Sequence, residues 1–369
     1  MIVVAKIGTS SITDGSGAIN EAAIGKLCAE AAGLRAAGHR VVIVTSGAIS
    51  AGLPALGYQG GERPRDAVTL QAASAVGQTR LMGVYEAALA SHGLVTGQIL
   101  LAPLDFMVRQ QYLHARSTLG RLLDLGVVPV VNENDAIADD EIRFGDNDRL
   151  AALVAHLVAA DLLVLLTDAP GLLTADPRLD SNASLIEEIV EVDQSLEAMA
   201  GGSGSSRGSG GMASKLAAAK IAAWSGVRAV IAQASREGVL EAVVQGTAGA
   251  GTVVLPKSTR LPARKLWIAF AVGSSGTIVV DDGARRALLE RGVSLLAAGV
   301  SAVKGTFEVD DAVEIAGLDG QVFAKGLVRL DAVALRGVSG QRTSDLPEGM
   351  PHEVVHRDDL VVLPQSLPR

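Results

Sequence analysis

Cysteine is almost missing from this sequence. The single thiol, Cys28, among 369 residues excludes a disulfide within the chain and predicts a reducing, cytoplasmic setting. Lying in the first helical pattern, it reads as a small core residue and not a nucleophile. The six histidines, His39, His92, His114, His156, His352 and His356, are scattered, so no zinc-ligand spacing is present. Aromatic residues are few: two Trp, three Tyr and five Phe. A nucleic-acid platform made of stacked bases needs several exposed rings and is a poor match. Positive charge is in deficit, with a formal net charge of −8. Residues 258–369 carry 13 Lys+Arg against 14 Asp+Glu, and the rest of the chain carries 19 against 26. Neither part has the basic surplus typical of tight binding to nucleic acid or an anionic membrane. The longest apolar stretch, 151–166, is interrupted by His156 and Asp161 and is too short to span a bilayer. Lys6 follows only a few apolar residues at the N-terminus, which does not fit a secretory signal.

What is present is a globular composition, 49% hydrophobic and 20% charged, with length for about two domains at roughly 100–200 residues each. The first two-thirds alternates short apolar runs with helical patterns. Strands are expected at 2–5, 41–45, 94–100, 127–132, 162–167 and 228–232. Helices are expected at 20–37 (with Asn20 as N-cap), 67–89, 146–159 and 214–225. This alternation predicts an α/β fold, a mainly parallel sheet between helical layers. The pattern changes at a basic, proline-bearing link from Pro256 to Lys265. Beyond it lie short turn-punctuated segments at 276–280, 309–315, 322–324 and 360–363, with one helical pattern at 284–291. These describe a small β-rich domain. The expected division is residues 1–256 and 273–369.

In an α/β sheet, ligands gather at the carboxyl ends of the strands. Those ends carry Lys6-Ile7-Gly8-Thr9-Ser10-Ser11, Ser46-Gly47-Ala48, Asn132-Glu133-Asn134-Asp135 and Thr167-Asp168. Together they suit a polar, anionic ligand. Residues 201–211 hold six glycines and four serines. By composition alone such a segment fits a linker. It leads, however, into Met212-Ala213-Ser214-Lys215 and a helix start, where backbone N–H groups and the helix dipole favour negative charge. The spacing is not that of a Walker A loop, so the reading is a glycine-rich phosphate loop with a separate lysine, Lys6. Phe144-Gly145-Asp146-Asn147-Asp148 forms an acidic–amide cluster. Asp146 suits an N-cap, while Asn147 and Asp148 can face the strand ends.

These pieces, in this order, resemble the amino acid kinase family, and within it the glutamate 5-kinases. The resemblance also rests on 45–52, 71–78 and Leu165-Leu166-Thr167-Asp168. Residues 276–284 and 294–300 are similar to a PUA domain, so the likeness runs over essentially the full chain. Two departures stand out. Ser209 sits where the family usually has threonine, and Arg329-Leu330-Asp331 replaces a segment that often carries tyrosine.

The resemblance implies the amino acid kinase fold followed by a PUA domain. It implies transfer of the γ-phosphoryl group of ATP to the γ-carboxylate of L-glutamate, with Mg²⁺, as the first step of proline biosynthesis. It assigns catalysis to Lys6, Lys215 and Asp148. It assigns glutamate binding to Ser46, Asp135 and Asn147. ATP would be held by Lys6, Thr167, Asp168, Ser209, Gly210, Gly211, Met212, Ala213, Ser214 and Lys215. No protein metal ligand is assigned. Feedback inhibition by proline, a homo-oligomer and functional coupling to glutamate-5-semialdehyde dehydrogenase are further implications, and no membrane association is expected. Two alternatives stand beside it. Kinases of this fold also act on aspartate, N-acetylglutamate, carbamate, nucleoside monophosphates and isopentenyl phosphate. From another class, PUA domains occur in RNA-modifying enzymes, and the basic link and Arg285-Arg286 keep an RNA-binding role open.

Overall fold

Every residue of β1 (Ile2–Ile7) is buried, as expected of an unalternating apolar run covered on both faces. The strand belongs to a computed structural model that describes the chain apart from residues 15–17, 59–62, 138–146, 177–179, 181, 202–210, 259, 272 and 364–369. The chain divides into two compact units, Met1–Arg260 and Leu261–Arg369.

In the first unit the remaining strands are β2 (Arg40–Val44), β3 (Thr96–Leu101), β4 (Val128–Glu133), β5 (Leu162–Thr167), β6 (Glu188–Ile189), β7 (Arg228–Gln233) and β8 (Thr252–Val254). They form one eight-stranded sheet in the order β3-β4-β2-β1-β5-β7-β8-β6. β1 pairs in parallel with β2 on one side and β5 on the other, and the described pairings are parallel except β7 with β8. The chain therefore turns outward in opposite directions from β1, which places a crevice at the carboxyl ends of β1, β2 and β5.

Helices cover both faces. α1 (Glu21–Ala36) is capped by Asn20, whose side chain accepts from the Ala23 amide. α2 (Ala48–Gly52) follows β2 directly, and α3 (Ala67–Ala90), α4 (Arg109–Asp124), α5 (Asn147–Leu157), α6 (Met212–Trp224) and α7 (Val239–Gln245) complete the layers. Val3, Ala5 and Ile7 share one core with Ile24, Leu27 and Cys28 of α1, Leu81, Tyr85 and Leu89 of α3, and Leu240 of α7. Because strand residues alternate between faces, Val4 and Lys6 point to the other layer, where α5 and α6 pack on β1 and β5.

The second unit is a six-stranded sheet in the order β10-β14-β13-β12-β9-β11. Its strands are β9 (Gly276–Val280), β10 (Leu295–Leu296), β11 (Val300–Gly305), β12 (Ala312–Ala316), β13 (Val322–Val328) and β14 (Glu353–Val362). α8 (Asp282–Arg291) and α9 (Ala332–Val338) pack on it around Phe323, Leu288 and Leu335. Several elements differ from expectation. β12 starts at Ala312 and not at 309, since Asp310 takes a left-handed turn (φ 72°). β14 begins at Glu353, well before 360. α4 and α9 are helices that sequence periodicity did not single out.

Candidate active site

The face of β1 that carries Lys6 decides the site. Lys6 is 3% exposed and Asp148, at the first turn of α5, is 0% exposed. Lys6 Nζ lies 2.5 Å from Asp148 Oδ1. Lys215, from the first turn of α6 and 5% exposed, donates to Asp148 Oδ2 at 3.1 Å. Ser214 Oγ donates to the same oxygen at 2.8 Å. One buried carboxylate thus holds two buried ammonium groups from different elements. Burial alone would push the Asp148 carboxyl pKa up. The Lys6 and Lys215 charges, with hydrogen bonds from Lys6 and Ser214, outweigh burial and hold it below the usual carboxylate range. The trio carries a net charge of about +1 in a region screened from water, which suits an anion that brings its own negative charge.

Beside this trio the strand ends are cross-linked by polar side chains. Ser46 Oγ donates to the Ile7 carbonyl at 3.2 Å, tying the end of β2 to the end of β1. Asn147 Nδ2 donates to the Thr45 carbonyl at 2.5 Å and to Asn132 Oδ1 at 2.6 Å. Ser74 Oγ on α3 donates to Asp135 Oδ2 at 3.2 Å. On the other side of β1, Thr167 Oγ1 donates to Asp168 Oδ1 at 3.0 Å, and Gln233 Nε2 donates to the Asp168 carbonyl at 3.4 Å. Gly211 caps α6 with extended backbone, and its carbonyl accepts from Ser214 Oγ at 2.9 Å.

Three glycines set this geometry. Gly47 adopts a left-handed conformation (φ 91°) at the start of α2, which swings the chain off β2 immediately after Ser46. Gly52 and Gly77 let α2 and α3 meet backbone to backbone. A Cβ at Gly77 would sit 1.8 Å from the Ala48 carbonyl oxygen, and one at Gly52 would sit 1.9 Å from that of Ala73. The segments 45–52 and 71–78 are thus the two halves of one close contact.

The structure brings together Lys6, Asp148 and Lys215 by direct contact. It places Ser46, Asp135 and Asn147 on the β1–β2–β4 side, and Thr167 and Asp168 at the end of β5. Gly211, Met212, Ala213, Ser214 and Lys215 form the cap and first turn of α6. Ser209 and Gly210, like Phe144, Gly145 and Asp146, lie outside the described residues. Sequence reasoning missed Ser74, Gln78 and Gln233 as members of the polar network. A signal for the first two exists: Ser74, Gln78, Leu81, Tyr85 and Leu89 share the buried stripe of α3, and the first two are polar where the rest are large.

Among the described residues no group of three His, Cys, Asp or Glu is placed to hold a metal ion, and both oxygens of Asp148 face lysines. The donor set therefore fits an Mg²⁺ carried mainly by nucleotide phosphates, the usual habit of that ion. No helix among the described residues is long and apolar enough to cross a membrane.

Comparison with known proteins finds similarity along most of the chain. The model of the amino acid kinase family matches residues 1–233, and that of the PUA domain matches residues 276–350. A glutamate 5-kinase of Pelobacter propionicus is 45% identical over 98% of this chain and 97% of its own length. One from a Marinomonas species is 46% identical over 98% of this chain and 97% of its own length. A solved isopentenyl phosphate kinase aligns with 69% of this chain and 100% of its own, at 22% identity and a TM-score of 0.49.

Proposed function

From the premise that this chain belongs to the amino acid kinase family, among its glutamate 5-kinases, and carries a C-terminal PUA domain, we propose that it transfers the γ-phosphoryl group of ATP to the γ-carboxylate of L-glutamate. The observation that carries the reading is the buried Lys6–Asp148–Lys215 trio. In this reading residues 1–256 bind both substrates and perform catalysis, and residues 273–369 form the PUA domain.

The chemistry asks little of acid–base groups. A carboxylate with a reference pKa of about 4.3 is already ionised at neutral pH, so the nucleophile needs no general base. What remains is in-line positioning and stabilisation of the charge on the transferring group. Lys6 and Lys215 supply that stabilisation from a site screened from water. Asp148 does not react; it holds both ammonium groups at fixed positions. Ser46, Asp135 and Asn147 bind glutamate, with Asp135 a partner for the α-ammonium. Thr167, Asp168 and the segment Ser209, Gly210, Gly211, Met212, Ala213, Ser214 and Lys215 hold ATP. When bound, Mg²⁺ would supply positive charge to the nucleotide phosphates, beside that of Lys6 and Lys215.

The product, γ-glutamyl phosphate, is an acyl phosphate and the first intermediate of proline biosynthesis. Feedback by proline at or overlapping the glutamate site, a homo-oligomer and hand-over to glutamate-5-semialdehyde dehydrogenase belong to the same proposal.

An ATP-dependent hydroxylamine trap tests it, run with L-glutamate, L-aspartate and N-acetyl-L-glutamate, each with and without proline. Hydroxamate from glutamate alone, reduced by proline, is the expected result. Hydroxamate from none of them, with folded protein and Mg²⁺, would overturn the assignment.

A further inference from the structure

The buried amides beside the trio have a defined polarity. Gln78 is 7%, Asn132 1% and Asn147 7% exposed. Both hydrogens of Asn147 Nδ2 are committed, one to the Thr45 carbonyl and one to Asn132 Oδ1. Asn132 Oδ1 also accepts from the Glu133 amide at 2.9 Å, and Asn132 Nδ2 donates to Gln78 Oε1 at 2.8 Å. Backbone groups at Thr45 and Glu133 cannot be turned round. Reversing Asn147 would set its oxygen against two other oxygens, and reversing Asn132 would set its NH₂ against the two N–H donors of Asn147 and Glu133 and its oxygen against Gln78 Oε1. The relay Thr45–Asn147–Asn132–Gln78 therefore has one arrangement.

That arrangement leaves Asn147 only an acceptor to offer, because its Oδ1 makes no hydrogen bond among the described residues. An acceptor recognises an N–H and repels a carboxylate. Asp135, held by Ser74 one helical turn from Gln78 on α3, is an acceptor too. At the far end of the relay, Gln78 Nε2 is buried without a hydrogen-bond partner among the described residues. The chain bears an unmet donor there, so it is the oxygen of Gln78 that does the work.

Resting on the glutamate reading above, we propose that Gln78 is a positioning residue. Through Asn132 it holds Asn147 with Oδ1 presented to the α-ammonium of the acceptor amino acid. The relay then favours a free amine over an N-acylated or amine-less dicarboxylate.

The test compares wild type, Gln78→Met (similar shape, no acceptor) and Gln78→Glu (acceptor kept) in the hydroxamate assay. Each is measured for L-glutamate KM and kcat and for inhibition by glutarate, the same dicarboxylate without the ammonium. Gln78→Met should raise the glutamate KM about tenfold, leave kcat within about threefold, and move glutarate inhibition by less than about twofold. Gln78→Glu should keep the glutamate KM within about threefold of wild type. Equal shifts for glutamate and glutarate, or none for either, would overturn the relay. If Gln78→Met does not fold, Gln78→Glu decides alone: a KM raised about tenfold there sinks the proposal, since the acceptor oxygen is still present. No hydroxamate from wild type would be a different failure, that of the glutamate reading, and the relay would fall with it.

Discussion

The two units bury very different residues. In the first, Lys6, Thr45, Ser74, Gln78, Asn132, Glu133, Asn147, Asp148, Thr167 and Lys215 are all buried near the strand ends, whereas Lys325 is the one buried polar or charged residue described in the second. The ion pairs of the second unit lie at its surface: Arg264–Asp359, Arg285–Asp319 and Arg329–Glu353 each keep at least one partner substantially exposed. Burying charge is costly unless it is paired and hydrogen-bonded. Concentration of that cost in one crevice marks where chemistry is done, and its near-absence marks the second unit as a conventional apolar core with a solvated surface.

The contrast breaks most sharply at Asp148. Asp148→Ala removes the carboxylate that both buried lysines share and should lower stability by about 3–5 kcal/mol, read from urea melts against wild type. Next come the lysines themselves. Lys6→Ala or Lys215→Ala should lower kcat at least about tenfold, roughly 1.4 kcal/mol of transition-state stabilisation; wild-type kcat in both variants would remove them from the reaction. Asp135→Ala should act mainly on the glutamate KM with kcat little changed, and initial-rate kinetics at saturating ATP separate the two.

A pH experiment sharpens the same comparison. The Asp148 pKa is lowered in the fold, so the folded protein holds its proton less tightly than the unfolded chain does. Its contribution to stability is full above the unfolded value of about 3.9 and is lost as pH falls through the lower folded value. Urea melts across the acid range should show this loss in wild type and a flatter limb in Asp148→Asn. The smallest effect belongs to the second unit. Arg329→Ala removes a half-exposed pair and should cost no more than about 1 kcal/mol, with hydroxamate formation unchanged.

How far the fold can be read from sequence depends on how many neighbours an element needs. Leu162–Thr167 is legible to the residue, because a continuous apolar run between Asp161 and Asp168 has one way to be buried. Glu21–Ala36 is legible through its Asn20 cap. Arg109–Asp124 is not: only Leu119 and Leu123 of that helix are buried, too thin a stripe to announce itself. Glu353–Val362 hides its strand behind His356-Arg357-Asp358-Asp359, a polar run that falls at a register shift in the pairing of β14 with β13.

The site divides the same way. Lys6, Asp148 and Lys215 are found by asking what stands at strand ends and helix starts, a property of local order along the chain. Ser74 and Gln78 are not, since a polar residue on a helix acquires meaning only from what is packed against it. The sequence by itself determined the alternating architecture, the placement of cations and amides at the strand ends, and the two small-residue segments that allow α2 and α3 to touch. Tertiary structure alone decided that one carboxylate would hold two lysines from separate elements, and that the amides would run in one direction with an oxygen at the end. Hydrogen bonds are directional and short, so their polarity exists only once side chains and backbone groups far apart in the chain have been brought within about 3 Å of one another.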